Sequence, residues 1–104
     1  MPQAVVRIAA LPGEAIDAAA EFHALHLERV RDAAGAGAAS LVVVLPPAAA
    51  DHSGWLRAVV QGLARAYAPV RVNFVSGGAE TGLASALAWI ERAPGVTGQL
   101  FRLD

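Results

Sequence analysis

The stretch RVNFVSGGAETG, from Arg71 to Gly82, sets a β-rich run against a Ser-Gly-Gly loop, with a helical pattern soon after. In α/β enzymes such a junction can hold a cofactor, which makes Ser76, Gly77 and Gly78 the candidate binding residues. Elsewhere the side chains suited to chemistry are sparse. His23 and His26 stand i, i+3 on one predicted helix, and only His52 remains as a further histidine ligand. That signature lacks the closely spaced acid of zinc-binding helices, so no metal site is expected. Ser40, Ser53 and Ser76 have no His–acid pattern beside them and no nucleophile elbow. Glu80 and Thr81 read as a helix cap. All eight basic residues are arginine. The lack of lysine removes a phosphate-loop lysine, a Schiff-base lysine and any Tyr–Lys pair. Tyr67 is the single tyrosine and falls on an apolar stripe. GAGAAS, Gly35 to Ser40, has the spacing Gly-x-Gly-x-x-Ser. It follows a helix and precedes a strand, the reverse of a dinucleotide turn, and reads as a helix stop. No catalytic residue is assigned.

The elements that would position these groups come from a chain of 104 residues, one domain in length. It is 56% hydrophobic and 16% charged, enough for a core and too apolar for disorder. About a quarter of it is alanine, which favours helices and close packing. A net charge of -1, with scattered arginines, argues against a nucleic-acid surface, which needs a clustered basic footprint. The absence of cysteine fits a cytoplasmic setting. MPQAVVRIAALPG lacks the pattern of a signal peptide, and LVVVLPPAAA is too short and proline-broken to span a membrane.

Short apolar runs predict strands at Ala4 to Ala9, Leu41 to Leu45, Val70 to Val75 and Gln99 to Leu103. LVVVL is apolar on both faces, as in a covered parallel sheet. Helical spacing covers Glu14 to Asp32, Gly54 to Ala68 and Gly82 to Arg92. In the first helix Ile16, Ala20, His23, Leu27 and Val30 form one stripe, with Phe22 and Leu25 off it. Asp51 or Ser53 is the expected N-cap of the second helix. The βαβαβαβ order means a parallel sheet with crossover helices.

The second half resembles the C-terminal half of the short-chain dehydrogenase/reductase family. LARAYAPVRVNFVSGG (Leu63 to Gly78) is similar to the family's "ELAP" helix end followed by "IRVNAVAPG". ALAWIERAPGVTGQLFRLD (Ala86 to Asp104) carries its "VTGQ". The likeness is specific from about Gly62 to Asp104 and weaker from Glu21 to Pro47. It implies a Rossmann-like half domain over 1–104, with four parallel strands in sequential order and helices on both faces. The strand at Ala4 to Ala9 then takes the place of the family's fourth, and the Gly-rich cofactor turn after the family's first strand has no counterpart. The resemblance places the family's tyrosine and lysine at Ala49 and Ser53, neither of which can do that chemistry. Ser76-Gly77-Gly78 matches the loop beside the nicotinamide, and reads as an inherited turn, with no cofactor expected.

The family's last crossover is left-handed, against the general rule. If this is inherited, two helices cover one face and the third covers the other alone. The first two strands then keep an uncovered apolar face, and the first strand is an open edge. In the family the two helices corresponding to the first and second here pair across a two-fold axis. Ala58, Gly62 and Ala66 form a small-residue row at i, i+4, i+8, with Trp55 one turn before it. Phe22, Leu25, Trp55, Ala58, Gly62 and Ala66 are therefore the interface candidates; the alternative is that the small row packs on the first helix of the same chain. The expectation is a non-catalytic module that forms a homodimer or pairs with a full-length reductase. The rival is a small ligand-binding or enzymatic domain, holding a nucleotide or acyl compound at the strand C-terminal ends near Pro46, Pro47 and Ser76 to Gly78. Four strands in one order would offer that rival no switch point. A third possibility is an unrelated small three-layer fold.

Overall fold

A computed structural model describes residues 2–103. Four strands, β1 (Gln3–Arg7), β2 (Ser40–Leu45), β3 (Arg71–Ser76) and β4 (Leu100–Arg102), form one parallel sheet in the order β1-β2-β3-β4. Register is in step throughout: Val5 pairs with Val42, Val42 with Asn73, and Phe74 with Leu100. The expected sequential half-sheet is the observed one, and it rules out an unrelated strand order.

The first crossover is a single helical rod in three parts: α1 (Ala15–Glu21), a π-helical turn (Phe22–His26) and α2 (Leu27–Ala34). α3 (Ser53–Tyr67) follows a 3-10 turn at Ala50–His52, and α4 (Glu80–Glu91) makes the last crossover. The caps of α3 and α4 carry no side-chain hydrogen bond, so neither Asp51, Ser53 nor Glu80-Thr81 caps a helix in the expected way.

The first rod corrects the expected stripe. Ala18, Phe22, Val30 and Ala34 are its buried residues, while Ile16 is 80% exposed and His23 lies outside. Buried positions four apart overshoot a full α-helical turn by about 40° at each step. The wider π turn, closed by the Leu27 N–H on the Phe22 carbonyl, takes up part of that drift. Phe22 therefore points into the core, against Phe74 and Trp55 with ring centroids 5.9 and 5.5 Å away. It cannot serve as an interface residue.

Alternation along the strands divides the core in two. Val6, Ile8, Leu41, Val43, Leu45, Val72 and Phe74 face the first rod and α3. Val42, Val44 and Val75 face α4 through Leu83 and Ile90. Since the strands step in one direction while α4 lies on the opposite face, the last crossover has the opposite hand to the first two. With the usual right hand for those, it is left-handed.

One α4 covers more than expected. Val42 and Val44 are buried, and of the inward apolar residues on that face only Val5, 40% exposed, stays wet. Gln3 explains the reach: its Nε2 donates to the Leu87 carbonyl of α4 at 2.9 Å, and its Oε1 accepts from the buried Ser40 hydroxyl at 2.7 Å. β1 is an edge strand, as expected. Among the described residues no helix is long and apolar enough to cross a membrane.

Candidate functional site

The strand C-terminal ends come first, because open parallel sheets bind ligands there. The connection after β2 leaves toward α3 and the one after β3 toward α4, on opposite faces. The expectation of no switch point is therefore corrected: the opposite-handed crossover makes the two connections diverge. A cleft of about 300 Å³ lies at the divergence, lined by Arg7, Leu45, Pro46, Gly77, Gly78 and Leu83.

Ser76, Gly77 and Gly78 do meet at this end, but their contacts are with the chain itself. Gly77 and Gly78 have φ of 75° and 94°, a region that glycine adopts without penalty. The Gly77 N–H donates to the Leu45 carbonyl at 3.2 Å, tying the loop to β2. A Cβ on Gly78 would stand 2.8 Å from Leu103, whose own N–H donates to the Ser76 carbonyl at 3.0 Å. The glycines are thus needed for a tight turn against the C-terminal strand. The Ser76 hydroxyl is fully buried and has no hydrogen-bond partner among the described residues. On β3 it lies two residues from Phe74, on the same face, and so faces α3, away from the cleft.

The rest of the motif is structural as well. Arg71 donates from Nη1 to the carbonyls of Ile90 and Ala93 at 2.8 and 2.9 Å, and from Nη2 to that of Glu91. It satisfies the last carbonyls of α4, where a cation is also favoured by the helix dipole. Asn73, fully buried, donates to the Val96 carbonyl at 3.0 Å and accepts from the Gln99 N–H at 3.1 Å. The polar residues of RVN hold the α4–β4 connection.

A second cleft, of about 420 Å³, opens between the β1–α1 loop and the β2–α3 connection, lined in part by Leu11, Pro12, Pro46, Pro47, His52 and Trp55. Ala49 and Ser53 flank its one imidazole. His52 is 4% exposed, with Nε2 2.9 Å from the Gly13 carbonyl and Nδ1 3.2 Å from Trp55 Nε1. The indole can only donate, so Nδ1 accepts and the proton sits on Nε2, which donates to Gly13. Both nitrogens are used in joining the first loop to the start of α3. His52→Ala is expected to lower stability by about 1–3 kcal/mol, read by urea unfolding, since it strands a carbonyl and an indole N–H. In the sequence His52 stands out only as a possible metal ligand, and no local pattern signals a partner 39 residues away. His23 bonds the Ala19 carbonyl and His26 lies 4.0 Å from Glu21, so the two histidines do not converge. Among the described residues no three His, Cys, Asp or Glu side chains cluster as metal ligands.

The interface candidates lie on one side of the sheet. A groove of about 460 Å³ runs between the first rod and α3, lined by Leu27, Trp55, Ala58, Gly62, Ala66 and Tyr67. Ala58 and Ala66 are exposed, and a Cβ on Gly62 would meet nothing within 4 Å. Leu25 is 68% exposed on the outer side of the π turn. Trp55 is half-buried and packs on the core as much as it borders the groove. At one end Arg31 Nε donates to the Tyr67 hydroxyl at 2.8 Å, which pushes the guanidinium up from its ordinary value. Tyr67 is half-buried, its ring packed on the core.

A parallel half-sheet with a left-handed final crossover and an RVN–Ser-Gly-Gly strand end defines a Rossmann-like half fold. A family model described as "Short chain dehydrogenase-like protein" matches residues 6–103, and the chain belongs to that family. The match takes in the end of β1 and the first rod, beyond the stretch where the motifs are most specific. Neither a curated protein nor a solved structure matches the chain.

Proposed function

We propose that this chain is a non-catalytic short-chain-dehydrogenase-like module that acts by association, as a homodimer, through the first rod and α3. The observation that carries the reading is the open groove over Ala58, Gly62 and Ala66. A row of small residues facing open space lets a second helix approach closely. A row on one helix also suits a two-fold interface, in which the same patch meets itself. The chemistry of the strand ends supports the non-catalytic half of the reading: by the family resemblance Ala49 and Ser53 stand at the positions of the tyrosine and lysine, and Leu103 packs closely on Gly78 of the Ser76–Gly78 loop. A full-length reductase presenting the corresponding helices would fit the same groove.

The test is Gly62→Leu, with mass by light scattering. The side chain enters open space and replaces a helix-interior glycine, so the variant is expected to fold and to gain about 0.5–1 kcal/mol. Wild type is expected to have the mass of two chains at micromolar concentration and the variant that of one. A monomeric wild type would defeat the self-association, and a folded variant that stays dimeric would move the interface elsewhere.

The diverging connections at Pro46 and Gly77 favour a second reading, a small-ligand domain with its site in the cleft between them. Calorimetric titration with NADH and NADPH separates the two. Saturable binding supports the ligand reading, and no heat of binding alongside a dimer mass supports the first.

A further inference from the structure

The open edge of the sheet carries a feature that neither reading uses. In a parallel pair the peptide groups of alternate residues turn to opposite sides of the strand. The Ile8 N–H donates to the Val44 carbonyl at 2.8 Å, and Arg7 is the register partner of Val44. Hence Ala4, Val6 and Ile8 direct their peptide groups to β2, whereas Gln3, Val5 and Arg7 direct theirs to the free edge.

Two of those outward groups already have side-chain partners, one at each end of the strand. The Gln3 N–H donates to Glu91 Oε2 at 3.1 Å, from the last residue of α4. The Arg7 carbonyl accepts from Arg29 Nη2 at 3.2 Å, from α2. The two side chains come from helices on opposite faces of the sheet and close on the same edge. A strand arriving alongside β1 would have to displace a carboxylate at one end and a guanidinium at the other. Between them only a window around Val5 remains, shorter than the five or six residues of an ordinary strand. Charged side chains laid on an edge are a recognised way of preventing sheet extension.

We propose that Glu91 and Arg29 act as a pair of clamps that close the β1 edge to strand addition, so that the half-sheet stays at four strands. The inference is independent of the groove on α3. It predicts what the protein does not do in wild-type form: it does not associate through β1, despite the exposed edge and the half-wet Val5.

The experiment compares wild type with the double variant Arg29→Ala/Glu91→Ala. Both side chains are exposed, and surface changes of this kind leave a fold intact. The double variant is expected to show at least a doubling of weight-average mass over wild type at equal concentration, with thioflavin T fluorescence that wild type lacks. Adding Val5→Pro, which removes an outward N–H and leaves the ladder to β2 complete, is expected to return the mass to the wild-type value. The single variants Arg29→Ala and Glu91→Ala, each opening one end, are expected to lie between. A folded double variant with wild-type mass across the concentration range would overturn the proposal. So would a triple variant that associates as strongly as the double. Should the double variant not fold, single variants that both keep the wild-type mass would overturn it equally.

Discussion

Phe22→Ala is expected to lower the unfolding free energy by about 3–5 kcal/mol, the cost of emptying a fully buried aromatic site. Few single changes in this chain should cost more, because the ring is the contact point of three elements. It meets Trp55 of α3 and Phe74 of β3 while belonging to the π turn of the first rod. Against a total stability of about 5–15 kcal/mol for a domain, such a loss leaves little margin. Urea unfolding followed by circular dichroism reads it directly. The same variant separates two roles for the residue. A core position loses stability whatever the protein concentration. An interface position would keep a folded monomer and lose only association. A variant with a wild-type unfolding midpoint and a halved mass would make Phe22 an interface residue instead.

Asn73→Asp is expected to cost about 3–5 kcal/mol at neutral pH, the penalty for a buried charge left without a partner. The side chain is fully buried and uses both ends: its amide donates to the Val96 carbonyl while its oxygen accepts from the Gln99 N–H. A carboxylate keeps the second bond and turns an acceptor toward Val96. The sign of the pH dependence follows. Burial raises the folded-state pKa of the introduced acid above the ordinary value of about 3.9. The protonated form can again donate to Val96, so stability is greatest below that unfolded value and falls as pH rises toward the folded one. Urea midpoints for wild type and variant between pH 3.5 and 7 check this, with the gap widening upward. A gap that is constant across the range would mean that the Asn73 amide is not donating to Val96. The prediction also bears on the family motif. In this chain the arginine and asparagine of RVN secure the helix end and loop that bring β4 beside β3, and the motif needs no cofactor to account for it.

The βαβαβαβ order, the parallel sheet and the four strand positions were legible in the sequence, because each rests on a local period. LVVVL reads as a strand covered on both faces, and all of β2 is buried. Strand ends moved by a residue or two: β1 begins at Gln3 rather than Ala4, β2 at Ser40 rather than Leu41, and β3 runs from Arg71 to Ser76 rather than from Val70 to Val75. Those added residues are polar, and what draws them into the sheet is a set of distant partners. Gln3 bonds to α4 more than eighty residues away, and the Ser40 hydroxyl donates to Gln3 across 37 residues. The small row on α3 was also legible as a row, since i, i+4 spacing fixes a shared face.

What only the tertiary structure decided has one physical origin: a period says which residues share a face, and not what that face meets. The first rod shows this in its inward side, since packing against β3 and α3 turns Phe22 inward, at a π turn that a uniform period cannot anticipate. The switch at the strand ends shows it again. Strand order alone suggested no crevice, yet the face chosen by α4 makes the connections after β2 and β3 diverge. Ser76-Gly77-Gly78 announced a turn in one dimension, and only three dimensions put Leu103 against Gly78 and directed Ser76 away from the cleft. The sequence by itself determined the elements, their order and the family. The closing of the β1 edge, the use of His52 as a tie between loops and the open groove over Gly62 depend on residues remote in the chain, and folding alone brings those together.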